Sequence, residues 1–318
     1  LAGAKFTVQP HDAAGSAARS TIAVQLRALL DQIPGAQRGE AEPVHQVRVA
    51  ARRLRSSVRL FAPYISSLRP KVMDERLKWL GKQAGAVRDL DVLEKLLQQR
   101  AGKLDLQVAR DLEPLFEEVR LRRAKAAAAL ARSLSSSRYK SLIARLSAPI
   151  AITARGDAAF DAVAGDLFAP MLKSVMRAGD KMHEEPTPDD LHRLRKRAKA
   201  SRYALEMMLA IDQKQLGPML KGLEDLQDLV GEHHDAVVAA SWIKEFAGSR
   251  QLPVGVAFAS GALSEAFRRR ESKLKRRGLK EWQRFLKSAP NRIMKKALDH
   301  HPKGVSSDDA VHHAPRTR

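Results

Sequence analysis

Apolar residues recur at spacings of three and four along most of this chain, the interval that gathers side chains onto one face of an α-helix. Val47, Ala50, Ala51, Leu54, Val58 and Phe61 form one such face, and Leu191, Leu194, Ala198, Leu205 and Met208 another. The segments 77–93, 120–131 and 216–230 are also helical in pattern. No stretch sustains the two-residue alternation and β-branched enrichment of a strand. The pattern predicts an all-α protein. Pro43 suits a first helical turn. Thr187, Pro188 and Asp190 read as the N-cap, first residue and partial capping box of a second helix.

The polar faces of these two helices repeat one another. His45, Arg48, Arg52, Arg55 and Arg59 return as His192, Arg195, Lys199, Arg202 and Glu206, offset by 147 residues with the same three-four-three-four spacing. At about 3.6 residues per turn, such a column stays within an arc of roughly 80°. A second block, Leu80, Gly85 and Asp89, returns as Leu226, Gly231 and Asp235 at an offset of 146, so one deletion separates the two registers. Two blocks in the same order mean that a unit of about 147 residues was duplicated. Each unit holds a lead-in helix, a striped helix, a Gly-Asp helix and a long basic fourth helix, which predicts one four-helix bundle per repeat. Pro149 and Gly156 interrupt the pattern at the junction. The expected divisions are 1–16, a leader or linker; 17–150, the first repeat; 151–298, the second; and 299–318, a disordered tail carrying His300, His301, His312 and His313.

Composition narrows the partners. Lys and Arg number 57 against 36 acidic residues, a formal charge of +21, which favours polyanions. Apolar residues make up 44% of the 318, enough for real cores. There is no cysteine, which removes disulfides, thiolate metal sites and cysteine nucleophiles. No apolar run approaches the roughly 18 residues of a membrane span, and residues 1–9 lack a signal-peptide core. A soluble, cytoplasmic protein is expected. The absent initiator Met points to trimming or to a piece of a longer polypeptide.

Like charges four residues apart cost a helix a few tenths of a kcal/mol each, so aligned columns ask for a counter-anion. Both histidines sit near helix N-termini, where free N–H groups and the helix dipole favour anions. Neutral imidazole donates a hydrogen bond to phosphate, and a nearby anion raises its pKa. Two structural alternatives stand beside the binding reading. The columns could be a solvated face, or Glu224, Asp228, Glu232 and Asp235 could neutralise the second one. The first repeat carries Lys82 and Arg88 among the equivalents of that acidic arc.

His233-His234-Asp235 resembles the metal-binding pair of phosphohydrolases, but the first repeat has Val87-Arg88-Asp89 there, and Arg88 cannot ligate a metal. The shared chemistry is a basic group followed by an acid. It points to phosphate contact from Arg88 and His234, ion pairs from Asp89 and Asp235, and close helix packing at Gly85 and Gly231. No P-loop, HExxH, nucleophile elbow or dinucleotide fingerprint is present. A binding protein without turnover, cofactor or metal is expected, and a metal-dependent phosphohydrolase is the weakest reading. Basic clusters at 120–138 and 268–277 broaden the positive field.

Val44-His45-Gln46-Val47-Arg48 through Arg52-Arg53-Leu54-Arg55, together with Leu191-His192-Arg193-Leu194-Arg195 and Arg202-Tyr203-Ala204-Leu205-Glu206, resemble the signatures of the CHAD family, the conserved histidine α-helical domain. Arg88-Asp89-Leu90-Asp91 also fits, and the resemblance covers roughly residues 19–290. It implies two pseudo-symmetric four-helix bundles around a basic central cavity. It further implies non-catalytic binding of inorganic polyphosphate, often at polyphosphate granules. By motif, the contact set becomes His45, Arg48, Arg52, Arg55, His192, Arg195, Lys199 and Arg202. Ser201 stands where family members usually have an apolar residue. Nucleic-acid binding is the alternative partner class. Sequence-tolerant strand binders interleave aromatics for stacking; only 5% of this chain is aromatic, with Tyr203 near the second column.

Overall fold

The computed structural model describes residues 8–182, 186–209, 212–249 and 251–287. Eleven α-helices occupy most of them: α1 (Ala14–Leu30), α2 (Ile33–Gln37), α3 (Ala41–Leu60), α4 (Pro70–Ala101), α5 (Leu106–Arg110), α6 (Glu113–Ser135), α7 (Ser137–Ser147), α8 (Phe160–Gly179), α9 (Pro188–Met208), α10 (Gln213–Gly248) and α11 (Val254–Lys287). Among the described residues, the only extended pairing is two isolated antiparallel bridges, Ala13 with Ala159 and Ile65 with Ile152. The protein is all-α. No described helix is long and apolar enough to cross a membrane.

Packing follows the repeat. α1 lies on α3, α3 on α4 and α4 on α6; in the second half α8 lies on α9, α9 on α10 and α10 on α11. The fourth helices differ. α11 runs unbroken, whereas its counterpart stops at Ser135 and restarts as α7. Ser136 turns extended there, and its Oγ accepts the Tyr139 N–H at 3.3 Å, a serine N-cap.

Both striped helices bury the faces that their patterns mark. Val44, Val47, Ala50, Ala51, Leu54 and Val58 are inaccessible on α3. Leu191, Leu194, Ala198, Leu205 and Met208 are likewise inaccessible on α9. The capping box of α9 is complete: the Thr187 hydroxyl accepts the Asp190 N–H at 3.2 Å, and the Asp190 carboxylate accepts the Thr187 N–H at 3.0 Å. Ser201 is buried without loss, because its hydroxyl donates to the Met171 carbonyl at 3.2 Å.

The apolar interior does not divide at the junction between repeats. One cluster joins α1, α3, α7, α8 and α9 to the near halves of α4 and α10 and to Trp282 and Phe285 at the far end of α11. The other joins Leu93 and Leu97 of α4 and Phe116 of α6 to Ile243, Phe246, Leu263 and Phe267 of α10 and α11. Each repeat therefore completes the other's core, and α3 and α9, the helices that carry the charged columns, touch across it.

Part of the expected leader belongs to the body. Val8 is buried, Ala14 N–H donates to Ala158 O at 2.8 Å, and Phe160 N–H donates to Asp12 O at 2.8 Å. Pairing with the junction segment satisfies backbone groups that a free leader would leave to water. The tail expected at 299–318, with its four histidines, lies outside the described residues.

Candidate functional site

The two columns meet. His45, Arg48 and Arg52 of α3 and Arg195 and Lys199 of α9 face one cavity with about 270 Å³ open to water. α4 contributes Arg88 and Asp89 and α10 contributes His234 and Asp235, closed on one side by Val92, Leu96 and Val238. The cavity thus draws on both repeats and on the same helices of each.

The pairing inside it is also duplicated. Arg48 reaches Asp89 at 3.1 Å, and Arg195 reaches Asp235 at 4.0 Å. Of the two glycines one turn earlier, Gly85 makes room for its arginine, and Gly231 leaves space to spare. A Cβ on Gly85 would lie 1.9 Å from Arg48 Nη1, and one on Gly231 would lie 3.8 Å from Arg195 Nε. The role of Gly85 is to let the Arg48 guanidinium cross the helix, rather than to bring two backbones together.

Five cations share the cavity with two carboxylates. Arg52, Arg88 and Lys199 form no hydrogen bond or ion pair with any described residue. His45 Nδ1 is buried with no hydrogen-bond partner among them. The charges feel this crowding. Burial, then Arg52, Arg195, Arg48 and Arg202, push the Lys199 amine down to about 7. Burial, followed by Arg195, lowers His234 to about 4. His45 is lowered by burial and by Arg88, and His192 by burial and by Lys196. Burial and Arg52 lower even the Arg48 guanidinium. Asp235 is raised by burial despite Arg195 beside it. Cations that must be desolvated together without matching anions are costly, and a bound polyanion would relieve that cost.

Other members of the expected contact set are placed differently. His192 packs its ring against His234, with centroids 5.0 Å apart, at the edge of the cavity. Arg55 and Arg59 both turn to Asp74 of α4; Arg55 Nε and Nη2 lie 2.6 and 3.2 Å from its oxygens, and Arg59 Nη2 lies 2.8 Å away. Arg202 is held between Glu206 and Glu224, each at 3.5 Å, with its guanidinium over the Tyr203 ring. The far ends of the columns are therefore quenched, by Asp74 of α4, Glu224 of α10 and Glu206 of α9 itself, whereas Arg52 and Lys199 are not. Of the acidic arc on α10, Glu224 and Asp235 do pair with the column, but Glu232 turns to Arg270 at 2.7 Å.

Sequence patterns left several contributors unread. Asp74 gave no signal, because only the α3–α4 crossing brings it to Arg55 and Arg59. Glu206 breaks the column where the first repeat has Arg59, and it binds Arg53 of the opposite repeat at 3.1 Å, a clasp between α3 and α9. Val92 and Val238 carry the 146-residue offset and could have been found through it. His233 and His234 do not act together: His233 is buried with Nε2 3.9 Å from Glu271, while His234 faces the cavity. Among the described residues, no group of three or more His, Asp or Glu is arranged to hold a metal ion.

A helical duplication enclosing a shared basic, histidine-bearing cavity is the architecture that the sequence motifs anticipate. The CHAD domain family model matches residues 20–244, and the chain belongs to the CHAD family. It is similar to the crystal structure of the CHAD domain from the plant Ricinus communis, with TM-score 0.69 and 27% identity over 86% of this chain and 94% of that one. PptA from Streptomyces chartreusis shares the fold, with TM-score 0.68, 18% identity and coverage of 86% of this chain and 100% of that one. Two uncharacterized proteins of Mycobacterium tuberculosis are 27% identical over 212 residues, 62% of this chain. The match spans only 39% of the length of those relatives.

Proposed function

We propose that the cavity binds inorganic polyphosphate and does not turn it over. The observation that carries the reading is the convergence, from both repeats, of Arg52, Arg88 and Lys199, three cations with no carboxylate assigned to them. A linear polyanion would be held by charge-assisted hydrogen bonds along the near ends of α3 and α9. The two carboxylates in reach, Asp89 and Asp235, are each paired with an arginine, which disfavours either of them as a general base. The same reading assigns the protein to the cytoplasm, at polyphosphate granules.

Nucleic acid is disfavoured by a specific feature. Tyr203, the aromatic residue nearest the columns, is buried, with Arg53 and Arg202 5.9 and 5.0 Å from its ring centroid. Among the described residues, no Phe, Tyr or Trp lines the cavity, so bases would find no stacking platform there. Competition between long polyphosphate and single-stranded DNA of equal charge tests the choice, and polyphosphate is expected to win. By analogy with nucleic acids, six to ten phosphate contacts would lose about 10³–10⁵ in affinity between 50 and 200 mM salt. Charge reversal at Arg48 and Arg195 together should abolish binding with helicity kept. DNA winning, a flat salt response or unchanged affinity in the double variant would each refute the proposal. Phosphate release from polyphosphate in the presence of Mn²⁺ or Mg²⁺ would refute the absence of turnover.

A further inference from the structure

The duplicated columns differ at one position inside the cavity: Arg52 of the first becomes Lys199 in the second. A guanidinium stays charged and inert, whereas an amine can lose its proton and become a nucleophile. Lys199 is the one amine among the described residues that line the cavity, and none of them accepts a hydrogen bond from it. It faces Arg48 and Arg52 from α3 and Arg195 and Arg202 from its own helix, and Asp235 of α10 feels its charge. We propose that Lys199 is a covalent modification site, acylated by small acyl phosphates that the neighbouring arginines seat by their phosphate group. The proposal rests on the anion-binding reading of the same cavity.

The step is balanced without any further reagent. The Nζ lone pair attacks the carbonyl carbon, and the bond from that carbon to the phosphate oxygen breaks. Phosphate leaves with the bonding pair, and the amine proton passes to it or to water, giving an amide and inorganic phosphate. Nothing is oxidised or reduced. The guanidiniums that seat the donor would also stabilise the departing phosphate. Charge balance keeps the amine available. Arg48, Arg52, Arg88 and Arg195, less Asp89 and Asp235, already match a phosphate dianion, so Lys199 is not needed as a cation. A long polyphosphate brings more negative charge, so it would both cover the amine and protonate it. With its proton held only to about pH 7, Lys199 is mostly free amine at pH 8, where an ordinary lysine is well under 1% so. Acylation would remove a cation from the cavity and so weaken polyphosphate binding.

The test is a time course with acetyl phosphate at pH 8 on the full chain, with the occupancy of each lysine read by peptide mass spectrometry. Lys199 should be acetylated at least about tenfold faster than exposed lysines such as Lys71 and Lys140. The preference should shrink with an uncharged acetyl ester, and saturating polyphosphate should protect Lys199. A Lys199 rate no higher than that of the exposed lysines would overturn the proposal. Polyphosphate binding measured on the same preparation separates the two readings. Binding without selective acetylation sinks this inference alone, and selective acetylation without polyphosphate binding sinks the polymer reading alone.

Discussion

Replacing Lys199 by methionine should make the ligand-free protein more stable while weakening its hold on polyphosphate. The lysine is largely buried among arginines, and its amine is pushed from 10.5 down to about 7. At about 1.4 kcal/mol per tenfold change in protonation, that depression sets a ceiling of about 5 kcal/mol on the cost of keeping the ammonium charged in the folded state. Screening by the real protein interior lowers the recoverable part, and we expect a gain of about 2 kcal/mol. For a chain of this size, that is a rise in Tm of about 4 °C. The pH dependence identifies the cause. Between about 7 and 10.5 the unfolded chain binds the proton that the folded chain has lost, so wild-type stability rises with pH across that window. The penalty is complete below about pH 7, and the advantage of the variant should therefore be greatest there and vanish towards pH 10.5. Denaturant unfolding at pH 6, 7, 8.5 and 10, with and without polyphosphate, measures all of this. At a ligand concentration of 100 Kd the wild type should gain about 2.7 kcal/mol from the ligand, and the variant less. A variant less stable than wild type at pH 7, or an advantage that does not change with pH, would refute the reasoning.

Three further outcomes follow from the geometry. Glu206→Gln strips the clasp from two largely buried arginines, Arg53 and Arg202, and should cost about 3 kcal/mol in a urea unfolding series; an unchanged midpoint would mean that the clasp contributes nothing. Gly85→Ala should displace the Arg48 guanidinium and weaken polyphosphate binding about tenfold, a loss of about 1.4 kcal/mol, while Gly231→Ala should be nearly neutral. Equal effects in titrations of the two variants would contradict the difference in clearance. Bound polyphosphate should restore protons to Lys199, His45, His192 and His234, all lowered in the free protein. Binding should therefore take up protons near pH 8, and affinity should fall as pH rises; calorimetry in two buffers of different ionisation enthalpy would expose a null result.

The sequence by itself determined the helical class, displayed the duplication and marked most of the charged residues that the cavity gathers. Helical period is local information, and the buried faces of α3 and α9 follow from it residue by residue. The repeat did more than periodicity could. It marked Arg48 and Arg195 as column residues and Asp89 and Asp235 as ion-pairing acids, and the fold then joined them as Arg48 with Asp89 and Arg195 with Asp235. Only the tertiary structure decided which cations stay free. Arg55, Arg59 and Arg202 look like Arg52 along the chain, yet Asp74, Glu206 and Glu224 quench them. Asp74 and Glu224 come from crossings of helices, and a crossing angle is fixed by side chains packing across a shared core rather than by the charged face itself. The interleaved interior has the same origin. A repeat predicts its own bundle, but the cheapest burial for these apolar faces was against each other.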